Sequence, residues 1–327
     1  MLHITQGDAT VDLLRQAGMQ GPILPWRDIL HEGPVPAGSN LEALQDIRAR
    51  FLSTLGWGTV EELMYSFTLR DRVLRRFPTH DEVLLWFEHD LYDQLHIAQI
   101  LDWFARQDLG QTRLTMICID SFPGVIPFRG LGDLTPRQIG SLFEKRQPIT
   151  QEQLALAVAV WAAFRSPDPT KIEDLLSTDM TFLPFMATAL RRHLQQFPST
   201  FNGLGRTEHK ALTAVAAGIN EPVALFRAHL EQEEHPFLGD WTFWTYLKRL
   251  ADGPHPLLRI DGPSGLDHFV ESTITLTGDG RDVLSGTQDC VHLNGIDRWL
   301  GGVHLKGIES PWRWDETARC LRPGTPT

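Results

Sequence analysis

An α/β N-terminal domain on a mostly parallel sheet, then a helical region and a β-rich end, is the fold class this 327-residue chain predicts. Three observations predict it. Apolar runs at 2–5, 23–26, 82–87 and 113–119 alternate with segments of helical periodicity, the pattern of strand–helix–strand crossover units. From Thr135 to Gln196 almost every stretch reads helical. From Gly205 three helical stretches precede two short β runs, and the tail carries hairpin-like Gly and Trp clusters.

The elements follow in order. Leu2-His3-Ile4-Thr5 is a short strand, and the Gly7-Asp8 turn leads into a helix with Val11, Leu13, Leu14 and Ala17 on one face, closed by Gly18. Ile23-Leu24-Pro25-Trp26 is a second strand that opens into Arg27-Asp28-Ile29-Leu30-His31-Glu32-Gly33-Pro34. Helices are predicted near 41–55 and 59–76, a buried strand at 82–87, a helix over 90–107 with apolar residues at 91, 95, 98, 101 and 104, and another buried strand at 113–119. Residues 1–130 therefore read as a Rossmann-like domain. The helical region spans 131–204, with Thr135-Pro136 and Thr150 as helix starts, a break at Ser166-Pro167-Asp168-Pro169 and a helix over 182–194. Residues 205–285 hold helices at 207–218, 221–233 and 240–251, then strands at 257–260 and 270–276 joined by a Gly/Pro/Asp turn. With Leu276-Thr277-Gly278-Asp279-Gly280-Arg281-Asp282-Val283-Leu284 they resemble the winged-helix fold of MarR-like regulators. Residues 286–327 form a β-rich tail.

Composition narrows the class. Hydrophobic residues make up 42% and charged residues 22%, ordinary for a globular chain long enough to fold without disulfides. No run of about 18 apolar residues marks a membrane span. Met1-Leu2-His3-Ile4-Thr5 lacks the basic and apolar regions of a secretory signal, so a cytoplasmic protein is expected. Cys118, Cys290 and Cys320 are far apart and odd in number, which fits reduced thiols and excludes a Cys-type zinc cluster. The net charge of −11 argues against broad sequence-independent nucleic-acid binding. Residues 205–285 hold 7 Lys/Arg against 12 Asp/Glu, a net −5, and their third helix is aromatic (Trp241, Phe243, Trp244, Tyr246). A protein partner therefore ranks above DNA for this segment.

Open α/β sheets bind ligands outside the carboxyl ends of their strands. Three loops follow predicted strands: Gly7-Asp8, His31-Glu32-Gly33-Pro34 and Glu88-His89-Asp90, with Asp93-Gln94 one turn further on. If the strands are parallel neighbours, these loops share one rim. Each has a plain alternative. Asp8 and Asp90 stand where N-caps stand, and Asp93 suits a helix N-terminus. A lone His31-Glu32 pair is most simply a surface loop. The phosphate-loop, G-x-S-x-G and H-E-x-x-H signatures are absent, and His209, His235, His292 and His304 show no ligand spacing.

"HITQGD" at 3–8, "LPWRDILHEGPVP" at 24–36 and "LLWFEHDLYDQL" at 84–95 resemble a bacterial family known as domain of unknown function 1835. The later "FRGLGDLTP", "RQPIT", "SPDP", "NGLGRTEH", "FLGD" and "LNGIDRWLGG" segments are similar to its long members. The resemblance implies no activity. It places Asp8, Trp26, Asp28, His31, Glu32, Glu88, His89, Asp90 and Gln94 in recurring motifs.

The leading expectation is an acidic/His pocket on the N-terminal domain, for a small polar or nucleotide-like ligand, with metal-dependent hydrolysis as its chemistry. His31, Glu88, His89 and Asp90 would hold a divalent metal, and Glu32 or Asp93 would be the general base. Asp8, Trp26, Arg27, Asp28 and Gln94 would bind the ligand, Arg27 neutralising an anion. The alternatives are a ligand-sensing, transcription-associated regulator or interaction module using the winged-helix-like segment, and a scaffold whose motifs only cap and pack.

Overall fold

The computed structural model describes residues 1–263, 265, 268–308 and 310–324. It divides into two compact units: Met1–Leu190 with Gly301–Val303, and Arg191–Leu300 with His304–Thr327. The first contains β1 (Leu2–Gln6), α1 (Gly7–Gln16), β2 (Ile23–Trp26), the two-residue β3 (Gly33–Pro34), α2 (Leu41–Thr54), α3 (Val60–Leu74), β4 (Glu82–Glu88), α4 (Leu91–Phe104), β5 (Arg113–Ile119), α5 (Pro136–Ser141), β6 (Gln147–Pro148), α6 (Gln151–Phe164) and α7 (Thr170–Leu176). Helix α8 (Met186–Leu194) carries the chain on. The second contains α9 (Arg206–Ala216), α10 (Pro222–Gln232), α11 (Asp240–Ala251), β7 (Leu258–Asp261), β8 (Thr273–Leu276), α12 (Gly278–Leu284), α13 (Cys290–Asn294), β9 (Ile296–Gly301), β10 (Val303–Gly307), β11 (Trp312–Asp315) and β12 (Cys320–Pro323).

The sheet of the first unit runs β2-β1-β4-β5-β6. Its first four strands are parallel and β6 is antiparallel. The chain leaves β1 for β2 on one side and returns to β4 on the other, so the order reverses between β1 and β4. All seven residues of β4 are buried. Leu84 and Trp86 look into one apolar layer with Leu14, Leu131 and Ile139. Trp86 Nε1 donates to His3 Nδ1 (3.0 Å) within it. Helix α4 is buried nearly all round, its polar residues Asp93, Gln94, His96, Gln99 and Asp102 included. It packs along α6, so the early part of the predicted helical region belongs to the α/β unit.

Local chemistry sets the helix starts. Thr59 and Glu62, Thr135 and Gln138, and Thr150 and Gln153 each form a reciprocal capping box. Two expectations are corrected. Gln147-Pro148 is a strand, not helix; Pro148 lacks an N–H and is tolerated because β6 is an edge strand. The helix predicted from Phe182 begins at Met186, because Pro184 disfavours helical backbone in the residue before it.

In the second unit the expected three helices and two antiparallel strands are present. Ser264, Leu266 and Asp267 of the turn between β7 and β8 lie outside the described residues. The Ile274 N–H donates to Asn220 O (2.8 Å), tying β8 to the link between α9 and α10. The aromatic face of α11 is core: Phe243, Trp244 and Leu247 pack with Leu212, Ile274 and Val283. Burial opposes the charge of Glu233, yet Arg192 (2.9 Å) and Lys210 (3.2 Å) hold its carboxyl down at about 2. The tail is β-rich as expected, with β11 and β12 antiparallel. Among the described residues no helix is long and apolar enough to cross a membrane.

The segment after β2 is fastened from below. Arg48 and Asp28 form a buried ion pair (2.7 Å). Arg48 also donates to the carbonyls of Ile29 (3.1 Å), Glu32 (2.8 Å) and Pro34 (3.3 Å). Gly33, at φ +79°, brings its backbone against the Phe51 ring, where any Cβ would collide. Replacing Arg48 by Met leaves the Asp28 carboxylate buried without its counter-charge. Urea denaturation should show a loss of about 3–5 kcal/mol. A loss below about 1 kcal/mol would contradict this role.

Candidate functional site

Because β1, β2 and β4 are parallel neighbours, the loops after them do share one rim of the sheet. The strand-order reversal between β1 and β4 places Gln6 and Glu88 side by side. Gln6 Nε2 donates to Glu88 Oε1 at 2.9 Å. On its other side Glu88 is covered by the 130–131 backbone, with the Leu131 N–H donating to the carboxylate. The Gly130 Cα lies so close that a Cβ there would stand 1.8 Å from Glu88 Oε2. Gly130 has φ 167°, so the glycine answers to space rather than to backbone conformation.

Helix α4 starts three residues after Glu88 and folds two more carboxylates into the junction. Asp90 is its N-cap: Oδ1 accepts the Asp93 N–H (2.9 Å). Asp93 reaches back, its Oδ2 accepting the Glu88 N–H at 2.6 Å. Its Oδ1 is buried with no hydrogen-bond partner. Gln94 Nε2 donates to Glu88 O (2.6 Å) and to Cys118 Sγ (3.4 Å), locking β4, α4 and β5 together.

Burial of three carboxyl groups in one junction favours their neutral forms. Burial first, then the Asp90 charge, raises Glu88 to about 8 against the pull of Leu131 N–H and Gln6. Burial raises Asp90 to about 7 against the N–H groups of Asp93 and Tyr92. Burial and then the charges of Glu88 and Asp90 lift Asp93 well above its ordinary range. The junction therefore holds protons near neutral pH and can give or take one.

At the rim itself Arg27 and Asp8 make a half-exposed ion pair (2.5 Å). The guanidinium lowers the Asp8 pKa against burial. Asp8 is not the cap of α1, whose N-cap position is Gln6. Tyr92 lies just behind, its ring 5.9 Å from His31 and 4.4 Å from His96.

Several expected roles are corrected. Trp26 does not face a ligand: it is fully buried, donates to Gln99 Oε1 (2.8 Å) and lies under the Arg70 guanidinium (4.2 Å). Asp28 is spent on Arg48 and on the Ile29 N–H (2.8 Å). Gln94 is a brace rather than a ligand-binding group. His31 and Glu32 are buried, not a surface loop. His31, Glu88, His89 and Asp90 do not make a metal centre. His31 packs on Tyr92, and His89 lies between the rings of Phe128 and Phe185 (6.1 Å each). Glu88 is taken by Gln6 and the 130–131 backbone, and Asp90 by its cap. Among the described residues no group of three or more His, Cys, Asp or Glu side chains is placed to hold a metal ion. Sequence reasoning missed Gln6, Gly130 and Cys118. Gln6 ends the first strand and Gly130 lies in the quoted "FRGLGDLTP", so position held a signal for both.

Compared with known proteins, the chain matches no family model and shows no significant similarity to a curated protein.

Between the ordinary values of these carboxyls and about 8, the folded state binds more protons than the unfolded chain. Stability therefore falls as pH rises through that window. Urea midpoints should decline from about pH 5 to pH 8, and Glu88→Gln should flatten the decline; an equally steep decline in the variant would contradict the assignment. Gly130→Ala should cost about 1–3 kcal/mol, because loop or carboxylate must move. Paired with Glu88→Ala, which removes the collision, the cost should largely disappear; an additive double variant would contradict the contact.

Proposed function

We propose that the α/β unit binds a small polar or nucleotide-like ligand over the carboxyl ends of β1 and β4, and that Glu88, with Asp90 and Asp93, is its acid/base group. The observation that carries this reading is a carboxyl group raised to about 8, held by Gln6 and the 130–131 backbone at the point where strand order reverses. Open α/β sheets receive ligands at such a point. Carboxyls pushed toward neutral pH by burial and like charge are the groups that catalytic sites use to donate and recover a proton. Glu88 in its neutral form would donate to a leaving group or carbonyl oxygen, and Asp93, linked through the Glu88 N–H, would share the charge left behind. Arg27 would turn from Asp8 to an anionic part of the ligand. The proposed chemistry is proton transfer by these carboxyls.

A second reading concerns residues 205–285, as a winged-helix-like module. The tie between Ile274 and Asn220 supports that likeness, and the burial of the α11 aromatics supports a protein-interaction or structural role over DNA reading. Resemblance to the family of unknown function adds no activity to either reading.

Thermal-shift screening against nucleosides, nucleotides, sugar phosphates and short polar acids tests the first reading. At least one class should raise the melting temperature of the wild type. That rise should be lost in Glu88→Gln and unchanged by a chelator. No stabilising class, an equal rise in the variant, or loss of the rise on chelation would overturn it.

A further inference from the structure

Apart from the switch-point site, the first unit holds a cavity of about 200 Å³ at the free edge of β5. Strand β6 meets β5 only at Thr115 and Met116. Residues 117–119 continue with β4 on one side and, among the described residues, no strand on the other. The bond from the Ile149 N–H to Leu114 O (2.9 Å) sets the phase of this ladder. Alternate residues of a strand turn their N–H and C=O to the same edge, so Leu114 and Met116 face β6. Two residues on, Cys118 presents its main-chain N–H and C=O to that edge, where the cavity lies. The cavity walls are mostly apolar, among them Ile97, Met116, Leu183 and Phe185, with Gln94, Gln147 and Gln153 as polar lining. Lys145 lines the same cavity from an exposed position, and it forms no ion pair among the described residues. Burial pushes the Cys118 thiol pKa up, so the thiol is a neutral wall group rather than a nucleophile.

We propose that this cavity is a second binding site, for a small N-acylated amino acid with an aliphatic side chain. An amide offers one donor and one acceptor, which the Cys118 N–H and C=O, paired with no strand on that edge among the described residues, match as they would an added strand. The aliphatic side chain fills the apolar walls, and the carboxylate meets Lys145. The volume is below the ~300–1,000 Å³ of pockets for drug-sized ligands, which limits the occupant to amino-acid size. The site does not depend on the acid/base reading of Glu88.

Isothermal titration calorimetry with N-acetyl-L-leucine tests it, with N-acetyl-L-leucinamide as the uncharged control. The wild type should bind the acid more tightly than the amide by about tenfold, the weight of ~1.4 kcal/mol for one charge-assisted contact. Lys145→Met should remove that preference while leaving amide binding in place; Lys145 is exposed, so the fold should survive. Leu183→Trp, which fills the cavity, should abolish binding of both probes, its fold checked by circular dichroism. Glu88→Gln should bind both as the wild type does. Absence of binding to the wild type at millimolar probe, or binding unchanged in both Lys145→Met and folded Leu183→Trp, overturns the proposal. Binding that is lost in Glu88→Gln but kept in Leu183→Trp also overturns it, by moving the probe to the switch point.

Discussion

Strand β4 is hemmed in on every side. It pairs with β1 along one edge and β5 along the other, and side chains pack against both its faces. A strand so placed must be apolar, and Val83 to Phe87 are. It must also end abruptly, because α4 begins at Leu91. Whatever polar residues make that connection are drawn into the interior. Here they are Glu88, His89 and Asp90, and the first turn of α4 adds Asp93. Isolated buried carboxylates would be costly, and neighbouring donors offset part of that cost: Gln6, the Leu131 N–H, the Glu88 N–H and the Asp93 N–H. Protons offset the rest. The chemistry of the junction thus follows from the topology of the sheet.

The segment after β2 shows the opposite use of similar residues. Arg48 gathers Asp28 and three carbonyls, and Arg70 covers Trp26. The Asp28 carbonyl is also within hydrogen-bond distance of His96 Nε2 (2.9 Å), and burial holds that imidazole down at about 3. Every polar group in this set has a packing task. What reaches the rim is Arg27, paired with Asp8 and accessible. The motif around Trp26 therefore builds the wall on which one cation is presented, while the motif around Glu88 carries the titrating groups.

Periodicity made much of this legible. The apolar runs became the four parallel strands, and the helical spacing of 91, 95, 98, 101 and 104 became α4. Thr135 and Thr150 cap helices as their sequence context indicated. The shared rim followed from strand order alone. Side-chain destinations were not legible. The partner of Trp26 is Gln99, 73 residues away, and the partner of Asp28 is Arg48, 20 residues away. No local pattern announces either. The expected metal set failed for the same reason: His31, Glu88, His89 and Asp90 share a rim, but their side chains turn to different partners. Asp90 showed two readings in the sequence, cap and functional group. The structure gives it the cap, and burial at that cap raises its pKa. The short β6 escaped notice because two residues carry no period.

The central claim is that buried carboxyls of the β4–α4 junction, Glu88 and Asp90 among them, keep their protons toward neutral pH. Carbon-13 NMR of the side-chain carboxyls, titrated in the wild type and assigned with Glu88→Gln and Asp90→Asn, measures it directly. The account predicts junction resonances with midpoints near 7 and 8, absent one at a time in the variants. Three junction carboxyls all titrating near their ordinary values, close to 4, would contradict it.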